Sequence, residues 1–316
     1  MAWLKLIRWP NLLIIFLTQL LAWACVIIPS RHFEDIPYLI GFANFTLLSL
    51  STVLIAAAGY IINDYFDIKI DAINRPGKVV LEKQIPRRRA IIAHTIINIV
   101  ALFLAAIVAR QAGHYEYLLL QLSCTLLLWF YSTDFKRQFM SGNVIVAILT
   151  ALTIVTFLLY EPAMHYYLGK FYFLFVAGKK FVNPVWVLGV YAYFAFTLTW
   201  MREIVKDMED YKGDAEQGCV TMPIKWGLKR SVRLTQLLGL AAIVPLLIAS
   251  YKLCIAHWWF MGLYTLLALA LPITVWIFYL QRKAVTRHYH IASRWLKIIM
   301  VLGIGSLIIY YFQSHA

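Results

Sequence analysis

The chain has 316 residues, of which 62% are hydrophobic and only 14% are charged, and its mean hydropathy is +0.73. Because a soluble domain carries about 25% charged residues, this composition excludes an ordinary soluble protein and indicates an all-α, polytopic membrane helix bundle. The net charge of +14 does not indicate a nucleic-acid partner, since the basic residues are spread over connections between apolar segments rather than gathered on one face.

Nine apolar segments approach the roughly 20 residues that a helix needs to cross a bilayer. We predict membrane helices at 12–29, 39–62, 90–109, 115–131, 143–160, 185–203, 233–251, 258–280 and 293–313. The polar residues Asn11 and Gln19 favour an uncleaved first helix over a signal peptide. Because no long linker or charged tract divides the chain, we predict one transmembrane domain over residues 1–316.

The distribution of Lys and Arg predicts the orientation, because short cytoplasmic connections retain positive charge. With the N-terminus inside, the inner connections carry 19 basic residues and the outer ones carry six. We therefore expect a multi-pass protein of the cell membrane whose segments 63–89, 132–142 and 204–232 face the cytoplasm. The outer connection 161–184, with the aromatic run 171–175, is expected at the membrane interface.

The first chemically informative segment follows the second predicted helix and reads Asn63-Asp64-Tyr65-Phe66-Asp67-Ile68-Lys69-Ile70-Asp71. If this segment is helical, Asn63, Asp67 and Asp71 share one face, and Asp64 lies three residues before Asp67. Like charges at that spacing destabilise a bare helix, so a bound divalent cation would explain them. Magnesium prefers oxygen ligands and is commonly held by one or two carboxylates together with substrate phosphates. The segment therefore predicts a magnesium site.

A second acidic segment, residues 207–214, follows the sixth predicted helix on the same expected side of the membrane. Asp207, Asp210 and Asp214 follow steps of three and four residues, and their spacing does not fix which of them binds metal. The two segments hold seven of the fifteen acidic residues. Facing each other, they would bind one diphosphate through bridging magnesium ions.

Three other interpretations remain open from the residues. The acids would be helix caps and salt bridges in a purely structural interpretation, or the pathway of a divalent-cation transporter, since acids near membrane spans also mark ion pathways. A CDP-alcohol phosphotransferase also uses membrane aspartates and magnesium, but its Asp-Gly followed by Ala-Arg is missing around Asp64 and Asp207.

Several motifs together resemble the UbiA superfamily of intramembrane prenyltransferases. The segment from Asn63 to Asp71, with Asn74-Arg75-Pro76 after it, is similar to the first signature of that family, and 207–214 is similar to the second. Smaller matches are Arg8-Trp9-Pro10-Asn11 before the first helix and Tyr131-Ser132 with Lys136-Arg137 after the fourth. The resemblance implies a magnesium-dependent reaction in which a polyprenyl diphosphate ionises and a membrane-associated acceptor captures the allylic cation.

The resemblance also implies roles for individual residues. The implied ligands of one magnesium ion and the diphosphate are Asn63, Asp64, Asp67 and Asp71. The implied ligands of the other ion are Asp207, Asp210 and Asp214, and the acids central to catalysis are Asp67, Asp71, Asp210 and Asp214. The implied substrate-binding residues are Arg8, Asn11, Asn63, Arg75, Lys78, Tyr131, Lys136, Arg137 and Arg202. Lys136 and Arg137 would neutralise the departing diphosphate, and the ring of Tyr131 would shield the carbocation.

One departure from the family and two possible acceptors bear on the substrate. Lys78 stands where many relatives carry a second arginine, and its point charge does not reproduce the bidentate arginine fork. The stretch 202–210 is similar to the branch that makes digeranylgeranylglyceryl phosphate, which favours a phosphorylated glycerol acceptor. The alternative is an aromatic quinone precursor, whose carboxylate would pair with Arg8.

Overall fold

The structure is a computed structural model that describes residues 1–30, 38–74, 77, 79–168, 183–280 and 286–315. Nine long helices dominate the described residues, where the extended pairing is limited to an isolated bridge between Leu81 and Ile85. In chain order the helices are Trp9–Ser30, Phe42–Asn74, Arg87–Ala112, Leu118–Thr133, Ser141–Tyr160, Pro184–Glu209, Leu228–Ile255, Trp259–Leu280 and Thr286–His315. They are called the first to ninth membrane helices below.

The predicted all-α membrane bundle is confirmed. Eight helices in the described part of the chain are long and apolar enough to cross a membrane. The fourth, Leu118–Thr133, has 16 residues and falls short of that length, although a 3₁₀ turn at Tyr115–Tyr117 precedes it directly. The predicted number of nine is therefore approximate. The aromatic run 171–175, expected at the interface, lies outside the described residues.

The second membrane helix differs from the prediction at its C-terminal end. It contains 33 residues, about 50 Å at 1.5 Å per residue, whereas the hydrocarbon core is about 30 Å thick. Residues 63–74, which the sequence interpretation placed in a connection, form its last turns because no Gly or Pro stands between Gly59 and Pro76. The first acidic segment is thus held on a continuous helix and not on a loop.

Apolar packing holds the bundle at both ends. One cluster around Trp23, Phe45 and Phe157 lies at the end remote from the acidic segments, where the rings of Trp23 and Phe45 stack at 4.5 Å. A second cluster around Met201 and Trp276 joins the sixth to ninth membrane helices. The outward faces are apolar, with exposed side chains such as Phe103, Leu237 and Ile298. An apolar exterior suits a helix bundle surrounded by lipid.

Glu161 fastens the chain that enters the second membrane helix to the end of the fifth. Its carboxylate accepts hydrogen bonds from the backbone N–H of Leu39 at 2.9 Å and of Ile40 at 2.8 Å, and the residue is fully buried. Buried backbone donors that lose their partner keep the full cost of leaving water. This carboxylate therefore stabilises the end of the bundle opposite the acidic segments.

We predict that Glu161→Ala lowers the free energy of unfolding by about 2 to 4 kcal/mol, because it removes two charge-assisted hydrogen bonds from backbone N–H groups, of which that of Ile40 is buried. Thermal unfolding in detergent measures the effect. The unfolding temperature of Glu161→Gln should lie between those of Glu161→Ala and the unaltered protein. The matched control is Glu216→Ala, an exposed carboxylate. Equal unfolding temperatures for the two alanine variants would contradict the prediction.

Candidate active site

A cavity of about 290 Å³ lies among the first, second, fourth, fifth, sixth and ninth membrane helices. It contains ten of the residues singled out from the sequence. They are Arg8, Asn11, Asn63, Asp67, Asp71, Tyr131, Lys136, Arg202, Asp207 and Asp210. Apolar side chains line the remaining wall, among them Ile14, Ile55, Leu128, Leu149 and Met300. The cavity thus combines a charged region with an apolar one.

The first acidic segment presents one helical face to the cavity. Asn63, Asp67 and Asp71 line it, as their four-residue spacing on a helix predicts. Asp64 lies on another face, and its Oδ1 accepts a hydrogen bond from Arg8 Nη2 at 2.7 Å. Four polar residues of this segment are thereby divided between the cavity and a contact with the N-terminal segment.

Lys136 faces the first acidic segment from the connection after the fourth helix. Its ammonium group donates to the carboxylate of Asp67 and to Asn63 Oδ1, the latter at 3.5 Å. Burial lowers the pKa of Lys136, but Asp67, Tyr131 and Asp71 together raise it by more, so the net pKa lies above its usual value. A permanent positive charge therefore stands against the predicted metal ligands.

The second acidic segment contributes two residues to the cavity. Asp207 lies near the C-terminal end of the sixth membrane helix, where its Oδ2 accepts from Asn143 Nδ2 at 2.8 Å. Asp210 follows that helix and also lines the cavity. Asp214 is buried in the short helix Tyr211–Glu216, outside the lining of the cavity.

Asn74 joins the two acidic segments at the same end of the bundle. Its Nδ2 donates to the backbone oxygen of Asp210 at 3.2 Å, and its Oδ1 accepts from the N–H of Gly213 at 2.9 Å. A Cβ atom at Gly213 would lie 2.4 Å from Asn74 Oδ1, so only glycine permits this approach without a shift. The two segments are consequently held side by side and open into one cavity.

A chain of polar contacts extends from the N-terminal segment to the ninth membrane helix. The guanidinium of Arg8 lies 5.0 Å from the ring centre of Tyr60, and Tyr60 OH accepts from Asn11 Nδ2 at 3.2 Å. Asn11 Oδ1 accepts from Lys297 Nζ at 2.6 Å. Arg8 adopts a left-handed backbone with φ of 51°, a strained conformation for a residue with a Cβ and one that clusters at functional sites.

Sequence reasoning missed five residues of this region. Glu203 accepts hydrogen bonds from Arg202 at 3.0 Å and from Lys206 at 2.9 Å. The missed residues are Tyr60, Asn143, Glu203, Lys206 and Lys297. Charged residues at or near membrane depth are functional candidates by default. This rule, applied to the predicted helices, would have identified Glu203, Lys206 and Lys297. Tyr60 and Asn143 have no comparable signal.

Three other residues that were predicted to bind substrate are not among the described residues that line the cavity. Arg137 does not line the cavity, and its backbone oxygen accepts from Val220 N at 2.7 Å. Arg75 and Lys78, predicted to bind substrate, lie outside the described residues.

The oxygen donors in the cavity fit magnesium. Two groups of carboxylate and amide oxygens, from Asn63, Asp67 and Asp71 on one helix and from Asp207 and Asp210 on another, line the same space. Among the described residues, no three His, Cys, Asp or Glu side chains come together as a complete metal site. This arrangement suits an ion that takes one or two carboxylates and fills its other positions with phosphate oxygens and water.

The sequence is similar to a known protein family and to named relatives. The model of the UbiA prenyltransferase family matches residues 20–301. Over 250 residues the chain is 31% identical to digeranylgeranylglyceryl phosphate synthase of Methanosphaera stadtmanae, covering 78% of this chain and 77% of that protein. It is 34% identical over 215 residues to the synthase of the same name from Methanothermobacter thermautotrophicus, covering 66% of this chain and 64% of that protein.

Solved structures share the fold. A structure described as digeranylgeranylglyceryl phosphate synthase superposes with a TM-score of 0.64 at 24% identity and covers 99% of this chain and 98% of that one. A UbiA homolog from Archaeoglobus fulgidus bound to GPP and Mg²⁺ gives a TM-score of 0.60 at 16% identity and covers 99% of each chain. At these identities the likeness concerns the fold alone.

Gly142 controls the position of Lys136. A Cβ atom at Gly142 would lie 2.9 Å from the Cα of Lys136 and 2.9 Å from the backbone oxygen of Phe135. We predict that Gly142→Ala displaces this segment and slows diphosphate release from a prenyl donor by about tenfold to 100-fold, because misplacing a site residue by about 1 Å has effects of that size. Initial rates at saturating magnesium measure it.

Gly189→Ala is the matched control, since a Cβ atom at Gly189 has no neighbour within 4 Å. This variant should retain the rate of the unaltered protein. Equal rates for both alanine variants would show that the position of Lys136 does not depend on Gly142.

Proposed function

This chain belongs to the UbiA prenyltransferase family and is an integral membrane prenyltransferase, and on that premise we propose that it transfers a prenyl group from a polyprenyl diphosphate to the hydroxyl group of a phosphorylated glycerol lipid. The allylic carbon–oxygen bond of the donor breaks and diphosphate departs. A carbon–oxygen ether bond forms with the acceptor, and the hydroxyl proton passes to the released diphosphate. The resemblance inferred from the sequence motifs is confirmed at the level of the family.

The observation that carries this proposal is that both acidic segments supply oxygen ligands to one cavity. Asn63, Asp67 and Asp71 would hold the donor head group from one side, and Asp207 and Asp210 from the other. Magnesium, when bound, supplies Lewis-acid stabilisation of the leaving diphosphate. The UbiA homolog from Archaeoglobus fulgidus that shares this fold was solved with GPP and Mg²⁺, which supports the same donor class and metal here.

Lys136 and Tyr131 would act on the two charges that the proposed reaction creates. The ammonium of Lys136 would exchange its contact with Asp67 for one with the departing diphosphate, since developing negative charge is best stabilised by a fixed donor. Tyr131 lines the same cavity, where its ring face would stabilise the allylic cation. The apolar wall around Ile55 and Leu149 would accommodate the prenyl chain and keep water from the cation.

A phosphorylated glycerol acceptor is favoured by the relatives and by the cations of the cavity. The relatives compared above carry the name digeranylgeranylglyceryl phosphate synthase. Arg8, the cation that an aromatic carboxylate would use, is already paired with Asp64 at 2.7 Å. Arg202, Lys206 and Lys297 supply positive charge elsewhere in the cavity. An aromatic acceptor is the competing outcome of the experiment below.

The membrane side and the domain organisation belong to the same proposal. The excess of basic residues in the connections next to the acidic segments supports a site that opens to the cytoplasm. Six helices line the cavity, and they include both the first and the ninth membrane helix. This supports one domain over residues 1–316.

We predict that the purified protein, given magnesium and a series of polyprenyl diphosphates, prenylates geranylgeranylglyceryl phosphate in preference to 4-hydroxybenzoate or dihydroxynaphthoate. Product mass identifies the donor and acceptor that are joined. Chelation of magnesium with EDTA should abolish turnover, and added magnesium should restore it, because the carboxylates of Asp67, Asp71, Asp207 and Asp210 would repel a diphosphate that no metal ion bridges.

Asp67→Asn and Asp210→Asn test the same proposal, each with an expected loss of at least about 100-fold in rate, since each replaces a negatively charged proposed metal ligand with a neutral amide. Asp134→Asn is the control, because Asp134 is exposed and contacts Thr133. Preference for an aromatic acceptor would replace the proposed substrate. Near-normal turnover of both site variants would remove the metal–diphosphate mechanism.

A further inference from the structure

Three further cations line the cavity that contains Asp67 and Lys136. We call Arg202, Lys206 and Lys297 the basic wall. Arg202 and Lys206 lie on the sixth membrane helix, and Lys297 lies on the ninth, which packs against the sixth and the first. All three residues line the cavity. The wall is therefore assembled by tertiary packing from residues almost 100 positions apart in the sequence.

The first part of the basic wall holds more positive than negative charge. Glu203 accepts from Arg202 Nη1 at 3.0 Å and from Lys206 Nζ at 2.9 Å, so one carboxylate serves two cations. The Nε atom of Arg202 is buried and makes no hydrogen bond within the described residues. A buried guanidinium donor without a partner is costly. One positive charge and one donor therefore remain for a ligand.

The second part of the basic wall is a lysine within a membrane helix. Lys297 is the twelfth of the 30 residues of the ninth helix, and its ammonium donates to the neutral amide oxygen of Asn11 at 2.6 Å. Within the described part of the chain it makes no ion pair with a carboxylate. A charge at membrane depth is expensive unless an opposite charge or a polar ligand accompanies it. Lys297 thus adds a second uncompensated positive charge.

We propose that Arg202 and Lys297 bind the phosphate group of the acceptor lipid. Lys206, in the same wall, remains paired with Glu203. This inference rests on the proposed function. Two positive charges in excess match a phosphate monoester, which carries about −1.5 to −2 at pH 7. The planar fork of Arg202 suits two phosphate oxygens, and the ammonium of Lys297 supplies a third contact.

The location of the basic wall separates this phosphate from the donor diphosphate. Arg202 lies five residues before Asp207 on one continuous helix, about 7.5 Å along its axis. Asp207 and Asp210 repel an unbridged phosphate, whereas the basic wall attracts one. The acceptor would be anchored by its phosphate at the wall, with its hydroxyl group directed toward the donor bound between the acidic segments.

Lys297→Met tests the assignment directly, because methionine is unbranched, retains most of the length of the side chain and removes the charge. Geranylgeranylglyceryl phosphate and its dephosphorylated alcohol are compared as acceptors. We expect the KM for the phosphorylated acceptor to rise about tenfold to 100-fold, the size expected for loss of a hydrogen bond to a charged group. The KM for the alcohol and the Kd of an unreactive thiodiphosphate donor should change less than about twofold, and Lys297→Arg should retain most of the affinity.

Arg294→Met is the matched control, since Arg294 is an exposed cation on the same helix that does not line the cavity. It should leave both KM values unchanged. A similar KM change for the phosphorylated acceptor and the alcohol in Lys297→Met, no change for either, or a loss confined to the donor Kd would overturn the proposal.

A measurement on the unaltered protein covers the case in which Lys297→Met does not fold. Glycerol phosphate should inhibit competitively against the phosphorylated acceptor and not against the donor. Competition against the donor alone, or no inhibition at concentrations well above the acceptor KM, would count against a separate phosphate site. If the unaltered protein prenylates no phosphorylated lipid but does prenylate an aromatic acceptor, the proposed function fails rather than the assignment of Lys297 alone.

Discussion

Charges inside this bundle are balanced by oppositely charged side chains at short range, in two cases from distant parts of the chain. Lys136 pairs with Asp67, Arg8 pairs with Asp64, and Arg202 and Lys206 share Glu203. In a low-dielectric interior each pair depends on close geometry, because an isolated charge carries a large desolvation cost. The pairs tie the N-terminal segment and the connection after the fourth helix to the second helix. The balance is incomplete at the basic wall, and that is where the bundle attracts an anion.

Rigid helices, more than loops, fix the geometry of the site. The first acidic segment forms the last turns of a 33-residue helix, and Asp207 lies on the sixth helix before its end. Asn74 bridges the ends of the two segments, and Gly142 allows the Lys136 connection to approach closely. Site residues on helices supported by neighbouring contacts are held more precisely than residues on free loops. This rigidity suits a reaction in which a cation must meet its acceptor before water does.

Much of the fold could be predicted from the sequence, because bilayer thickness and hydrophobic content constrain helix length directly. The four-residue spacing of Asn63, Asp67 and Asp71 also predicted their common face. The partner of Asp64 could not be predicted, since Arg8 approaches it only through tertiary packing across 56 positions. The same limit applies to the contact between Lys297 and Asn11, which are 286 positions apart. Local patterns identified the acidic region of the cavity, whereas its basic wall depends on helix packing.

In the proposed mechanism, both acidic segments bind one diphosphate through bridging metal ions. A crystal structure with manganese and an unreactive prenyl thiodiphosphate tests it most directly, because anomalous scattering locates the metal ions independently of the ligand. The account predicts manganese between the diphosphate and Asp67 on one side, and between the diphosphate and Asp207 or Asp210 on the other. A diphosphate bound by one acidic segment alone, or held by the basic wall without metal, would contradict it.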